Sequence, residues 1–265
     1  MSGGGSPAPI RALLIDVDGT LLAGDGRPMP GAPEAMAAIR RAGIPYLLAT
    51  NTTRMPVAAI ARRLEDAGIP VPPERILSAA RAAAGWLHAR NASSATVLLP
   101  PACREDFPGL DLDAPRPEFV VAGDLGRGWT FDVLQRAFRA LLDGAGLVAI
   151  QRNRWWDPGD GPTLDAGPFV AALEYAADVT ATLVGKPSSA FFAVALERLG
   201  APPEATAMVG DSLVNDIAGA QDAGIAGVLV TRGGGDPAQP QRPGVRPDAV
   251  IETMAALPAL LGIGA

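Results

Sequence analysis

The stretch IRALLIDVDGTLL, residues 10–22, decides the fold. Its first half is a continuous apolar run that ends in acid, the pattern of a strand covered on both faces. Strands of that kind belong to parallel sheets with helices on either side. In the second half, Asp16 and Asp18 lie two residues apart, on one side of the chain while it stays extended, and Gly19 then lets the backbone turn away. Both carboxylates therefore sit at the C-terminal end of a buried strand, where open parallel sheets place their ligand crevice.

The pattern repeats outward from this strand. PGAPEAMAAIRRAG (30–43) reads as a helix closed by Gly43, IPYLLAT (44–50) as a second buried strand, and MPVAAIARRLEDAG (55–68) as a second helix. A second set begins with ATVLLP (95–100) and EFVVAGD (118–124). It continues through the helix TFDVLQRAFRALLDG (130–144), the strand LVAIQ (147–151) and the helix GPFVAALEYAADV (167–179). From TLVGKP (182–187) the first pattern returns, with the strands TAMVGD (206–211) and AGVLV (226–230) flanking the helical stretch LVNDIAGAQDAG (213–224). This order predicts an α/β protein. Its core is a Rossmann-like, doubly wound parallel sheet in two pieces, residues 1–79 and 180–265, interrupted by an α/β cap over residues 80–179.

Composition narrows the chemistry. The net charge is −6 and the arginines are scattered, which argues against nucleic-acid binding. A single cysteine, Cys103, and a single histidine, His88, exclude an intramolecular disulfide, a thiolate cluster and a poly-His zinc site. Neither residue stands in a motif that would make a Cys–His dyad. The opening MSGGGSPAP reads as a flexible leader without the basic and apolar regions of a signal peptide, and GGGDPAQPQRPGVRP (233–247) reads as a flexible loop. No apolar run reaches the roughly 18 residues that span a bilayer, so a cytoplasmic protein with no membrane partner is expected.

Three strand ends carry polar residues: DVDGT, ATNTT and VGDSLVND. Alone, each has an ordinary explanation, since Asp before Gly makes turns and Asp near a helix start makes caps. Together they point to one site. Asp16 and Asp18 cannot both ionise freely unless a cation intervenes or one holds a proton. A hard cation such as Mg2+ takes oxygen ligands, leaving Asp16 as nucleophile or ligand and Asp18 able to trade a proton. Asp211 ends another buried strand and can reach the same crevice, with Asn215 and Asp216 following in the next helix. Thr50 and Asn51 offer a hydroxyl and an amide to phosphate oxygens. Lys186 is the only lysine among 22 basic residues. Its compact ammonium suits a crowded phosphoryl pocket better than a guanidinium fork does. The plainer reading is an exposed lysine before Pro187 at a helix start.

DVDGTLL, ATN, GKP and GDSLVND, in this order, resemble the four motifs of the haloacid dehalogenase superfamily. The insertion between the second and third resembles the large α/β cap of the type IIA subgroup, and the chain is similar to its phospholysine phosphohistidine inorganic pyrophosphate phosphatases and NagD-like phosphatases. That resemblance implies a Mg2+-dependent phosphatase. Its substrate would be a small phosphorylated metabolite, whether phosphomonoester, pyrophosphate or phosphoramidate, cleaved through an aspartyl-phosphate on Asp16. It also implies that Mg2+ is held by the Asp16 carboxylate, the Asp18 carbonyl and Asp211, with Asn215 and Asp216 supporting the metal shell. Asp18 would serve as acid and then base, while Thr50, Asn51 and Lys186 hold the phosphoryl group. A phosphotransferase or mutase would use the same intermediate, and a noncatalytic phosphate-binding module would keep only the pocket.

The segment QRNRWWDPGDGPTLDAGP (151–168) is the unusual part of the insertion. Arg152, Arg154, Trp155 and Trp156 could stack a planar group or contact a second anion, making them the expected specificity residues. Paired tryptophans serve as readily for hinge packing or a subunit contact, which leaves self-association through the cap open.

Overall fold

The computed structural model describes residues 10–156, 161–231 and 244–264; the expected leader and most of the expected loop at 233–247 lie outside the described residues. The strands are β1 (Ala12–Ile15), β2 (Tyr46–Thr50), β3 (Ile76–Ser78), β4 (Ala95–Leu98), β5 (Phe119–Ala122), β6 (Gly146–Ala149), β7 (Trp155–Trp156), β8 (Thr163–Leu164), β9 (Thr182–Leu183), β10 (Thr206–Gly210), β11 (Ala226–Val230) and β12 (Ala249–Ile251). The α-helices are α1 (Ala32–Arg41), α2 (Val57–Asp66), α3 (Ala79–His88), α4 (Phe131–Leu142), α5 (Ala166–Ala177), α6 (Ser189–Leu199), α7 (Gly219–Asp222) and α8 (Leu257–Leu260). Among these, no helix is long and apolar enough to cross a membrane.

The first sheet has the order β12-β11-β10-β1-β2-β3. The chain winds outward from β1 to β3, then returns to lay β10 on the other flank of β1 and winds out again. That reversal between β1 and β10 is the topological switch point of a doubly wound sheet, where neighbouring crossovers part and leave a crevice. β1, β2 and β10 are buried along their whole length, as continuous apolar runs require. α1 turns Ala32, Ala35, Met36 and Ile39 inward at helical spacing.

The second sheet, β4-β5-β6-β9, is parallel throughout. Alternation along its strands divides two cores. Val120, Ala122, Leu147 and Ala149 pack with α4 and α5, whereas Val121, Val148 and Ile150 pack with α3. β7 and β8 form a small antiparallel hairpin.

The chain forms two compact units, one of Met1–Thr50, Ala61–Ile76 and Ala195–Ala265, the other of Asn51–Ile60 and Leu77–Val194. This division differs from the expected boundaries at 80 and 179. α3 packs under the second sheet, Val57 N donates to Asp106 Oδ2 at 3.1 Å, and β9 pairs with β6, so these flanking segments go with the second unit. The first sheet therefore does not resume at TLVGKP. β9 is two residues long, too short for its apolar pattern to say which sheet it would join.

Candidate active site

In the first unit, β1 and β10 deliver Asp16 and Asp211 side by side. Ile15 pairs with Val209, and Asp16 N donates to Val209 O at 2.9 Å, so the register carries both acids to the switch point. Asp216 joins them: Asp16, Asp211 and Asp216 each offer a carboxylate oxygen, and these oxygens all lie within 4.8 Å of one another. Asp16 and Asp216 are buried. Three carboxylates so close favour a cation or a proton between them, and an all-oxygen donor set suits a hard divalent ion.

Asp216 reaches this position through a local departure from the expected helix. Leu213–Ala218 is a π-helical turn that precedes α7. Ile217 N donates to Ser212 O at 3.2 Å, and Ser212 N donates to the Asp216 carboxylate at 3.0 Å. A Cβ on Gly210 would come within 2.3 Å of that carboxylate, so glycine is what lets Asp216 lie against the end of β10. The wider turn thus brings an Asp216 oxygen within 4.8 Å of those of Asp16 and Asp211. Asn215 donates its backbone N–H to Ser212 Oγ, capping the turn.

Asp18 has partners of its own. Thr50 donates its hydroxyl to Asp18 Oδ2 at 3.2 Å, and Arg63 Nη1 lies 3.5 Å from Asp18 Oδ1. Arg63 also donates to the carbonyls of Ala23 and Gly24, which ties it to the loop that follows Asp18. The Thr50 hydroxyl, which the motif resemblance assigns to the phosphoryl group, thus also orients this carboxyl.

In the second unit, Asn51 clasps the backbone of Lys186. Its Oδ1 accepts from Lys186 N at 2.9 Å and its Nδ2 donates to Lys186 O at 2.8 Å. Gly185 permits this approach, since a Cβ there would sit 1.9 Å from Ile150 O and 2.9 Å from Asn51 Oδ1. Lys186 is buried, against the reading of a surface lysine. Arg152 makes a bidentate pair with Glu174 of α5 at 2.8 and 2.6 Å, so its guanidinium is already engaged. Glu174 is held below the usual carboxylate range: burial opposes this, but hydrogen bonds from Arg152 and Ala181 N outweigh it. Arg154 and Trp155 are exposed on the hairpin; the Trp156 side chain lies outside the described residues. Cys103 is buried, donates to Thr53 O, and has its thiol pushed up to about 12, chiefly by burial, which keeps it from serving as a nucleophile.

A family model described as haloacid dehalogenase-like hydrolase matches residues 13–113, and a second, HAD-hydrolase-like, matches residues 183–257. Human haloacid dehalogenase-like hydrolase domain-containing protein 2 is 38% identical over 84% of this chain and 85% of its own. The chain belongs to the haloacid dehalogenase-like hydrolases. Within that family, it is also 33% identical to the phospholysine phosphohistidine inorganic pyrophosphate phosphatase of Xenopus laevis, over 93% of this chain and 92% of that one. Among solved structures, 4-nitrophenylphosphatase from Thermotoga maritima superposes with a TM-score of 0.85 at 27% identity, covering 94% of this chain and 96% of that one. As in the resemblance read from the motifs, the two segments matched by the hydrolase models carry Asp16, Asp18, Thr50, Asn51, Lys186, Asp211 and Asp216.

Other polar groups of this hydrolase escaped the sequence reading. Asp124 follows β5, and its carboxylate pairs with Arg54. Gln151 closely follows β6 and donates through Nε2 to Asp165 Oδ1 at 2.6 Å. The rule that parallel strands present ligands at their C-terminal ends finds Asp124 and Gln151 as it finds Asp16, once applied to the second sheet.

Proposed function

We propose that the chain is a Mg2+-dependent phosphatase that hydrolyses a small phosphorylated metabolite through an aspartyl-phosphate. The observation that carries this reading is the convergence of Asp16, Asp211 and Asp216 at the switch point, with Asp18 oriented beside Thr50 and Arg63. Phosphoryl transfer chiefly needs positioning and charge neutralisation, and such a cluster suits both. The phosphatase names of the Xenopus and Thermotoga proteins support the same class.

Asp16, Asp211 and Asp216 would hold the ion, which when bound neutralises charge on the phosphoryl oxygens. An Asp16 oxygen attacks phosphorus in line; the P–O bond to the leaving group breaks, and Asp18 gives its proton to the departing oxygen. Asp18 then takes a proton from the water that cleaves the acyl phosphate, restoring Asp16 and releasing phosphate. Lys186 steadies the transferring group, with Asn51 fixing the backbone from which it reaches.

Hydrolysis of p-nitrophenyl phosphate, alkyl phosphates and pyrophosphate, with Mg2+ or with EDTA, tests the proposal. Turnover should require Mg2+ and vanish in Asp16→Asn. Lys186→Arg should lose about a hundredfold or more in kcat, with both backbone bonds to Asn51 retained. Absence of Mg2+-dependent turnover on every ester would overturn the reading.

A further inference from the structure

The C-terminal edge of the second sheet gathers more polar groups than its packing needs. Asp124 lies beyond β5, with its backbone N–H donating to Thr53 Oγ1 at 3.2 Å and its carboxylate paired with Arg54. Gln151 lies beyond β6, where the carbonyl of its neighbour Ile150 is pressed against Gly185, the residue before Lys186. Asp165 caps α5, its Oδ1 accepting from Ala166 N at 2.7 Å and from Gln151 Nε2 at 2.6 Å. Asp124, Gln151 and Asp165 are each 5% exposed.

The carboxylates of this cluster are engaged, since Asp165 also accepts from the Asn153 side chain and Asp124 Oδ1 accepts from Gly126 N at 2.9 Å, but one acceptor is left over. Gln151 Oε1, on the same amide carbon as the nitrogen that bonds Asp165, is buried and has no hydrogen-bond partner among the described residues. Leaving a buried acceptor unmet destabilises a fold, so one is retained where something else meets it. The charges are uneven as well. Among the described residues, Asp124 and Arg54 are the charged groups that act on Asp165, two carboxylates to one guanidinium, and Asp165 is pushed up to about 6, first by burial and then by Asp124.

We propose that this edge recognises the leaving group, with Gln151, Asp165 and Asp124 receiving a protonated amine carried by the phosphorylated substrate. An ammonium supplies a donor for Gln151 Oε1 and a positive charge beside the two carboxylates. The assignment rests on the phosphatase reading for its link to Lys186 at the same sheet edge, and it adds a substrate class to that reading.

The test compares 2-aminoethyl phosphate with propyl phosphate and 2-hydroxyethyl phosphate, similar esters that differ in the terminal group. Both kcat/KM and calorimetric affinity are measured, with p-nitrophenyl phosphate as the reference ester. The parent should favour the amine over either neutral ester by about tenfold or more, chiefly through KM and affinity. Asp165→Asn keeps an acceptor for Ala166 N and Gln151, and should bring the ratio close to one. Tyr175→Ala, on the exposed side of the same helix, should keep the ratio. Equal handling of the three esters by the parent would overturn the proposal, as would a preference that survives Asp165→Asn or an equal preference for the hydroxyl. Failure to cleave p-nitrophenyl phosphate would count against the phosphatase reading alone, because the calorimetric ratio reads the amine site whether or not any ester is cleaved.

Discussion

Arg152 and Lys186 are both cations that stand out in the sequence, and folding gives them opposite surroundings. The Arg152 side chain is 40% exposed and spends its fork on Glu174, whereas Lys186 is 3% exposed and its backbone is clasped by Asn51. An exposed pair of this kind contributes little, because solvent screens it and two long side chains lose freedom. Arg152→Ala should therefore lower stability by about 1 kcal/mol or less, with KM for p-nitrophenyl phosphate within about twofold of the parent. Thermal melts and steady-state kinetics check this. A tenfold rise in KM would return Arg152 to the substrate contacts.

At the scale of elements, α5 carries a testable cost at its first turn. Asp165 caps the helix, and its carboxyl is pushed from 3.8 up to about 6. Burial is the main cause and Asp124 adds to it, against hydrogen bonds from Ala166 N and Asn153 and the attraction of Arg54. Between those two values the folded chain keeps a proton that the unfolded chain has released. This group's contribution is thus fully present below pH 3.8, falls as pH rises, and is lost above about 6. The gap corresponds to about 3 kcal/mol. Asp165→Asn retains a good cap, so it should be more stable than the parent near pH 8, with the difference closing below about pH 4. Urea titrations across that range read it directly; parallel profiles for the two proteins would assign the cost elsewhere.

The elements also differ in how far their sequence announces them. β1, β2 and β10 are legible because burial on both faces leaves an unbroken apolar run, and α1 because Ala32, Ala35, Met36 and Ile39 recur at helical spacing. Asp16, Asp18 and Asp211 were legible for the same reason, each following a strand that could be recognised. The π turn at Leu213–Ala218 was not, since widening a helix by one residue hardly alters its apolar period, yet it brings Asp216 into the carboxylate trio. Gln151 and Asp165 are 14 positions apart, and Arg54 and Asp124 are 70 apart. No local pattern joins such pairs; only the second sheet does.

For the whole molecule, a bound ion should appear as stability as well as activity. A ligand that binds only the folded chain stabilises it by mass action, by about 2.7 kcal/mol at a hundred times its Kd. For a chain of this size, that is on the order of 5–10 °C in Tm. Mg2+ should raise the Tm of the parent by roughly that much, EDTA should reverse it, and both Asp211→Asn and Asp216→Asn should lose most of the shift. A full shift in Asp216→Asn would remove that residue from the proposed ligands.

The reversal of winding at β1 also sets an order of events during synthesis. β1 pairs on one side with β2, close behind it, but on the other side Ala12 must wait for Thr206. At about 5–20 residues per second, the ribosome takes on the order of 10–40 s to cover that interval. Every strand of the second sheet, from β4 to β9, is made within it. The nascent chain must shield one apolar edge of β1 for that time, and Asp16 acquires its partner Asp211 only once translation has run 195 residues further on. The acidic centre thus assembles only after β4 to β9 have been made, so a ribosome stalled before β10 would carry a chain that has every strand of the second sheet but lacks Asp211 and Asp216.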